Sequence, residues 1–391
     1  MKIMKSTLLA VLVVLIAGCI RAPHGVVAYT PVDQDFSEPV FKELERRGRI
    51  TLRVVDGTKE TNSTGVLNRL IAEGGATGAL GDATLGPNSL SLESKIGLGD
   101  VRGRIDHLAV DAARQRLYVA ELGNNSVGVV DLKERKLLRT LPGFREPQGI
   151  AYEPSSDTIY VANAGDGSVR LLHGEGLTPA GAIELGEDAD NIRIDVHSHR
   201  VLVGCGSGAL AVIDPGRRQK IADIRLKAHP ESFQVEPQGG RVFVNVPDAN
   251  EIAVLDLATA KQTITWPTKN LRANFPLAID AERQQVVVMF RHPAKLAAFN
   301  LRDGGMTHAV EACGDSDDLF VDTKRGLIYI SCGEGFLDVF AAQADGFVRV
   351  THLATATGAR TSLWVPQVDR LFLAVRAAKD PAAIWIFRPA N

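Results

Sequence analysis

The chain has little aromatic character, little cysteine and almost no net charge. Aromatics make up 6% of its 391 residues, cysteine occurs four times and tryptophan three, and the formal net charge is -2. A near-neutral chain lacks the basic excess that marks most nucleic-acid binders, so no nucleic-acid partner is expected. No apolar run reaches the 18 or so residues that a membrane-spanning helix needs. No Walker loop, nucleophile elbow or zincin motif is present. His229-Pro-Glu-Ser232 and His308 form no recognisable Ser-His-Asp arrangement. The length exceeds one small domain and suits a large repeat fold with an appendage.

Glycine, in contrast, is abundant (37 residues), and Val, Ile and Leu recur in short runs, as in many short strands joined by tight turns. The N-terminus carries Lys2 and Lys5, then an uncharged apolar run from Leu8 to Ile16. That order describes a cleaved export signal over residues 1–18. Ile16-Ala17-Gly18-Cys19 closes it and resembles the bacterial lipobox. The resemblance implies that Cys19 becomes an acylated N-terminus and anchors the chain to a membrane through lipid. It also implies a cell-envelope location, periplasmic or at the outer membrane, with Ile20 after the cysteine favouring outer-membrane sorting.

The strongest internal signal is a period near 42 residues. First-strand segments begin at His107, Gly149, Asn191, Ser232, Pro276, Asp318 and Ser362, in steps of 42, 42, 41, 44, 42 and 44 residues. Six of the seven end in Asp or Glu, as in His107-Leu-Ala-Val-Asp111. A second apolar strand follows each, such as Leu117-Tyr-Val-Ala120 and Ile159-Tyr-Val-Ala162. A Gly/Asn/Asp turn, a third apolar strand and a more polar fourth strand complete the unit. Four short strands per 42 residues predict a mainly β fold, a seven-bladed β-propeller over residues 88–391. The last unit runs out of chain after three strands. Ser89-Leu-Ser-Leu-Glu-Ser-Lys-Ile-Gly97 supplies the fourth, a 3+1 closure that leaves no sheet edge open. A monomer is expected.

The units lack a terminal Trp-Asp pair and a tryptophan repeated once per blade. Leu117-Tyr-Val-Ala-Glu-Leu-Gly-Asn-Asn-Ser-Val127 and Ile159-Tyr-Val-Ala-Asn-Ala-Gly-Asp-Gly-Ser-Val169 resemble the YVTN repeat, and residues 89–391 are similar to YncE-like propellers of the bacterial envelope. That resemblance is specific for fold and says little about activity.

Residues 19–80 do not fit the repeat. Strand signals at Val26–Thr30 and Ile50–Val55 alternate with helical patterns at Glu38–Arg47 and Thr64–Glu73, a short βαβα segment ahead of a Gly-rich linker that ends at residue 87. Tyr29-Thr-Pro-Val-Asp-Gln34 and Gly65-Val-Leu-Asn-Arg-Leu-Ile-Ala-Glu73 resemble the start of an iron(III)-type ABC-transporter substrate-binding protein. The resemblance would bring Tyr29 near a ligand. The second lobe of such a protein is missing, so the segment reads as a truncated or fused module.

In a propeller the starts of the first strands face the axial channel. Two stacked rings follow: Asp106, Gln148, Asp190, Glu231, Phe275, Asp317 and Thr361, then the seven residues that open the repeats, among them His107, Asn191 and Asp318. Asp106, His107, Gln148, Asp190, Asn191, Glu231, Asp317 and Asp318 are the expected ligand-binding set. Asp190, Glu231 and Asp317 could hold a hard divalent cation such as Ca²⁺, although no cofactor is required. The other reading is a water-filled channel whose carboxylates pair with Arg104, Arg193 or Arg360. Cys313 and Cys332 fall in one blade and could form a disulfide; thiolate metal ligation or plain burial are the other readings for these and Cys205.

The leading expectation is a non-catalytic envelope module that binds a protein, glycan or small molecule at the propeller mouth. A metal-dependent hydrolase such as a lactonase, with His107 as base, is the alternative. A transport accessory that inherits its role from residues 19–80 is a third.

Overall fold

A computed structural model describes residues 25–30, 51–56 and 89–390, residue 207 excepted. The chain divides into two units, Met1–Thr84 and Leu85–Asn391. In the first, strand Gly25–Thr30 pairs in parallel with Thr51–Asp56. The predicted helices, the linker and the Cys19 signal all lie outside the described residues.

The second unit is a seven-bladed propeller. Among the described residues it contains seven four-stranded antiparallel sheets, six of them with their strands side by side in chain order. Blade one is Leu108–Asp111, Arg116–Glu121, Ser126–Asp131 and Lys136–Pro142. Blade seven is Ser362–Val365, Arg370–Val375 and Ala383–Pro389, completed by Leu90–Gly97 from the other end of the unit. That strand pairs with Ala383–Pro389 from Leu90 opposite Pro389 to Gly97 opposite Ala383.

The ring follows from alternation along the middle strands. Successive strand residues point to opposite faces, and in a propeller both faces meet another blade. Leu117 and Val119 therefore pack in one cluster with Ile96, Phe372 and Ile384 of blade seven. Tyr118 and Ala120 pack in another with Ile150 and Val161 of blade two. Seven such clusters fill the seven blade interfaces. Each fully buried Leu, Ile or Val contributes about 1.5–3 kcal/mol relative to exposure. The outermost strands shift register against the third strand in every blade, for example between Val129 and Val130. Bulges of this kind add twist and turn the free edge away from neighbours.

The acid that ends six of the seven first strands has a structural task. Asp111 Oδ1 accepts the Arg114 N–H at 3.1 Å, Glu153 Oε2 the Ser156 N–H at 2.7 Å and Asp280 Oδ1 the Arg283 N–H at 3.1 Å, which ties the turn into the second strand. Arg114 then reaches Asp157 of blade two at 2.7 Å, and Arg325 reaches Asp369 of blade seven at 2.7 Å. At the closure, Glu93 of the added strand meets Arg370 and Arg388 of blade seven and Arg135 of blade one.

Truncation tests the closure. A chain that starts at Leu85 keeps Leu90–Gly97 and is expected to give a monomeric, cooperatively melting β protein by size exclusion and circular dichroism. A chain that starts at Asp100 exposes the edge of Ala383–Pro389, and it is expected to lose the sharp transition and to aggregate.

Candidate functional site

At the axis the chain enters each blade through a short loop, and the inner ends of the blades are sewn together there. The His107 N–H donates to the Gln148 carbonyl at 3.3 Å, linking blades one and two. Asn245 Nδ2 donates to the Phe275 carbonyl at 2.8 Å. The Ser362 N–H donates to Asp318 Oδ2 at 2.7 Å, and Thr361 Oγ1 donates to the Ile105 carbonyl at 3.2 Å. These bonds bring the ring residues together about a small axial cavity lined by Arg104, Asp106, His107, Asp190, Asn191, Glu231, Ser232, Phe275 and Asp317. Gln148 contributes its backbone carbonyl and does not line that cavity.

Arginines compensate several of the carboxylates at the mouth. Arg104 Nη2 lies 2.8 Å from Asp106 Oδ2, though not along a hydrogen-bond direction, so that buried oxygen has no donor. Asp317 is held by Arg291 Nη2 at 2.7 Å and Arg360 Nε at 3.0 Å. Arg291 also stacks its guanidinium 3.5 Å from the centre of the Phe275 ring. Of the three arginines expected to pair, Arg104 and Arg360 do so. Arg193 instead donates to the Ile192 carbonyl at 2.7 Å and lies over Phe233, because its blade-three position aims it at an apolar wall.

Burial and neighbours shift several groups. Glu231 is pushed up to about 7, first by burial and then by Asp190 and Asp317. Asp317 is raised to about 6 by burial, its arginines opposing. His107 has carboxylates near both ring nitrogens, Asp106 at 3.6 Å and Asp318 at 3.7 Å. Burial alone would lower its pKa; the two acids reverse that and carry it to about 9. His229 lies 3.5 Å from Asp190 and donates Nδ1–H to the Gly206 carbonyl at 2.8 Å, and it too rises to about 9. At neutral pH both imidazoles are cations, which is the wrong state for a general base. Among the described residues, no three His, Cys, Asp or Glu side chains converge as a metal cage.

Cys313 and Cys332 are joined by a disulfide with Cα atoms 5.9 Å apart, and Cys205 is free and buried. The bond ties the entry loop of blade six to the end of its second strand, so it sits at the same mouth.

Sequence reasoning missed Asp315, Arg291 and Arg376. Arg291 and Arg376 occupy equivalent places at the ends of the second strands, where other blades carry Leu122, Ala164, Gly206, Pro247 and Gly333. Alignment of the strand ends, rather than the strand starts alone, would have exposed them as the two charged exceptions.

No family model matches the chain. Antigen Lp49 of Leptospira interrogans serogroup Icterohaemorrhagiae serovar copenhageni is 29% identical over 85 residues, which is 22% of this chain and 19% of that protein. The match therefore spans about a fifth of that relative's length. A solved structure of Kuenenia stuttgartiensis hydrazine synthase superposes with TM-score 0.62 at 16% identity, covering 73% of this chain and 97% of that one. A chain of the mitotic checkpoint complex superposes with TM-score 0.67 at 14% identity, covering 81% and 97%. At these identities the likeness is one of fold.

Glu231 makes the stability of the ring depend on pH. Its carboxyl loses a proton near 4.5 in the unfolded chain but near 7 in the fold. Stability is therefore lost as pH rises through that window and stays lost above it. Glu231→Gln is expected to be more stable than the parent by about 1–3 kcal/mol at pH 8, and equal to it at pH 4. Urea titrations at the two pH values check this.

Proposed function

We propose that the chain is a lipid-anchored envelope propeller of the YVTN-repeat kind that binds a ligand at its axial mouth without transforming it. The fold supports a binding or scaffold role in general. The observation that carries the finer reading is the mouth itself, where Asp106, Asp317, Arg291 and Arg360 are buried or half-buried and, with the more exposed Arg104, hold one another in fixed geometry. Such groups present donors and acceptors that are already positioned, which lowers the ordering cost of recognition. Against the hydrolase, His107 is held protonated between two acids, and Asp317 already spends its oxygens on two guanidinium groups. The anchor rests on the Cys19 motif, and a periplasmic or outer-membrane place goes with it. The parallel strand pair at the N-terminus agrees with an α/β module there, and a transport accessory role remains the reading that module favours.

Two measurements test the proposal. Cys19→Ala should move the protein from the membrane fraction to the soluble envelope fraction; retention at the membrane would sink the anchor. A thermal-shift panel of envelope glycans and small organic acids should contain at least one stabilising ligand, with the shift abolished in Asp317→Asn. Turnover of a lactone by purified protein, sensitive to a chelator, would favour the hydrolase instead.

A further inference from the structure

Beside the axial cavity lies a larger cleft of about 260 Å³, bounded by Arg104, Asp315, Gly333, Gly358, Arg360 and Arg376 from blades six, seven and one. It is smaller than the roughly 300–1,000 Å³ of drug-sized sites, and suits a ligand of monosaccharide size.

Its charges are unequal in kind. Arg104 is engaged with Asp106 at 2.8 Å, and Arg360 with Asp315 at 2.7 Å and Asp317 at 3.0 Å. Arg376 is exposed and, among the described residues, has no carboxylate within ion-pair distance. Its guanidinium nonetheless has a definite seat. It lies across Gly358, where a Cβ would come within 2.6 Å of Cζ, Nε and Nη2. Gly358 has a φ of +82°, so both its backbone and its bare face suit glycine.

The adjoining wall is built with similar closeness. Asp315 Oδ2 would lie 2.0 Å from a Cβ on Gly333, so the carboxylate is pressed onto that backbone. The Gly333 N–H donates to the Asp315 carbonyl at 2.8 Å, and the Gly358 N–H to the Gly333 carbonyl at 2.7 Å. The Cys313–Cys332 disulfide anchors both strands of this wall, two residues before Asp315 and one before Gly333.

We propose that this cleft binds a small hydroxy-carboxylic acid of the sugar-acid class, its carboxylate on Arg376 and its hydroxyls on Asp315. The inference rests on the binding reading above and names its ligand. A guanidinium fork matches carboxylate or phosphate. One uncommitted guanidinium balances one negative charge, whereas a phosphate brings about -1.5 to -2 at neutral pH. Asp315, 40% exposed on its side chain, would repel the second charge but accepts hydroxyl donors.

Calorimetric titration of the full mature chain with D-glucuronate, D-glucose and inorganic phosphate tests this. Glucuronate is expected to bind at least about tenfold more tightly than either control. Arg376→Gln is exposed and should melt like the parent, yet weaken glucuronate by about tenfold or more. Gly358→Ala should weaken it too, by pushing Arg376 off its seat. No glucuronate binding, equal binding of phosphate or glucose, or indifference to Arg376→Gln would each overturn the assignment. If the ligand panel yields a binder that ignores Arg376→Gln, this site falls and the binding reading stands. If nothing binds in either experiment, both fall.

Discussion

Every blade of this ring depends on a strand that comes from the other end of its unit. A four-stranded blade has two apolar faces and cannot bury both alone. Each face is satisfied only by the next blade, so the chain of dependence runs around the circle until Leu90–Gly97 adds to Ala383–Pro389. Leu90 and Ile96 show the economy of that arrangement. Both lie on the closing strand, yet Leu90 packs toward Tyr329 and Trp364 on the blade-six side, and Ile96 toward Leu108 and Leu117 of blade one. One strand therefore completes two interfaces, and Glu93 adds charge contacts to both sides of the same seam.

Closure also explains why charge can be gathered at the axis. Seven first strands converge there, and their leading residues cannot all be apolar without closing the mouth to water and removing partners for the entry-loop amides. Polar groups at those positions bond backbone of the adjacent blade, as Asp318 does with Ser362. Once carboxylates are present, their burial is costly unless cations accompany them. Arg104, Arg291 and Arg360 meet that need for Asp106 and Asp317, while Glu231 has no cation at ion-pair distance among the described residues and is the group whose pKa rises to about 7.

Repetition made the fold readable from sequence. The first-strand spacing, the acid at the end of six first strands and the orphan strand at Ser89–Gly97 each say the same thing, and consistency of that sort is what a closed repeat requires. The acids turn out to cap turns, as at Asp111 and Asp280, which is why they repeat while the axis-facing residues do not. The candidate site was legible only in part, for the complementary reason. Strand-start alignment finds Asp106, Asp190 and Asp317 because they share a register. It passes over Asp315, which lies outside the two aligned rings, and over Arg291 and Arg376, whose meaning lies in differing from their counterparts in other blades.

That contrast bears on where specificity can reside in such a ring. Near-equivalent blades give a near-symmetric mouth, and a symmetric mouth offers the same group seven times. Recognition of an asymmetric ligand requires that symmetry be broken with positioned groups. Here the break is concentrated at blades six, seven and one. Gly333 and Gly358 allow Asp315 and Arg376 to approach backbone that a Cβ would block, and a disulfide fixes the blade-six segment that carries Asp315. Blade five breaks symmetry differently, with Phe275 under Arg291 in place of a carboxylate. The ring supplies rigidity at every blade, and its departures from the repeat supply the chemistry, so a search for function in this chain belongs at those departures.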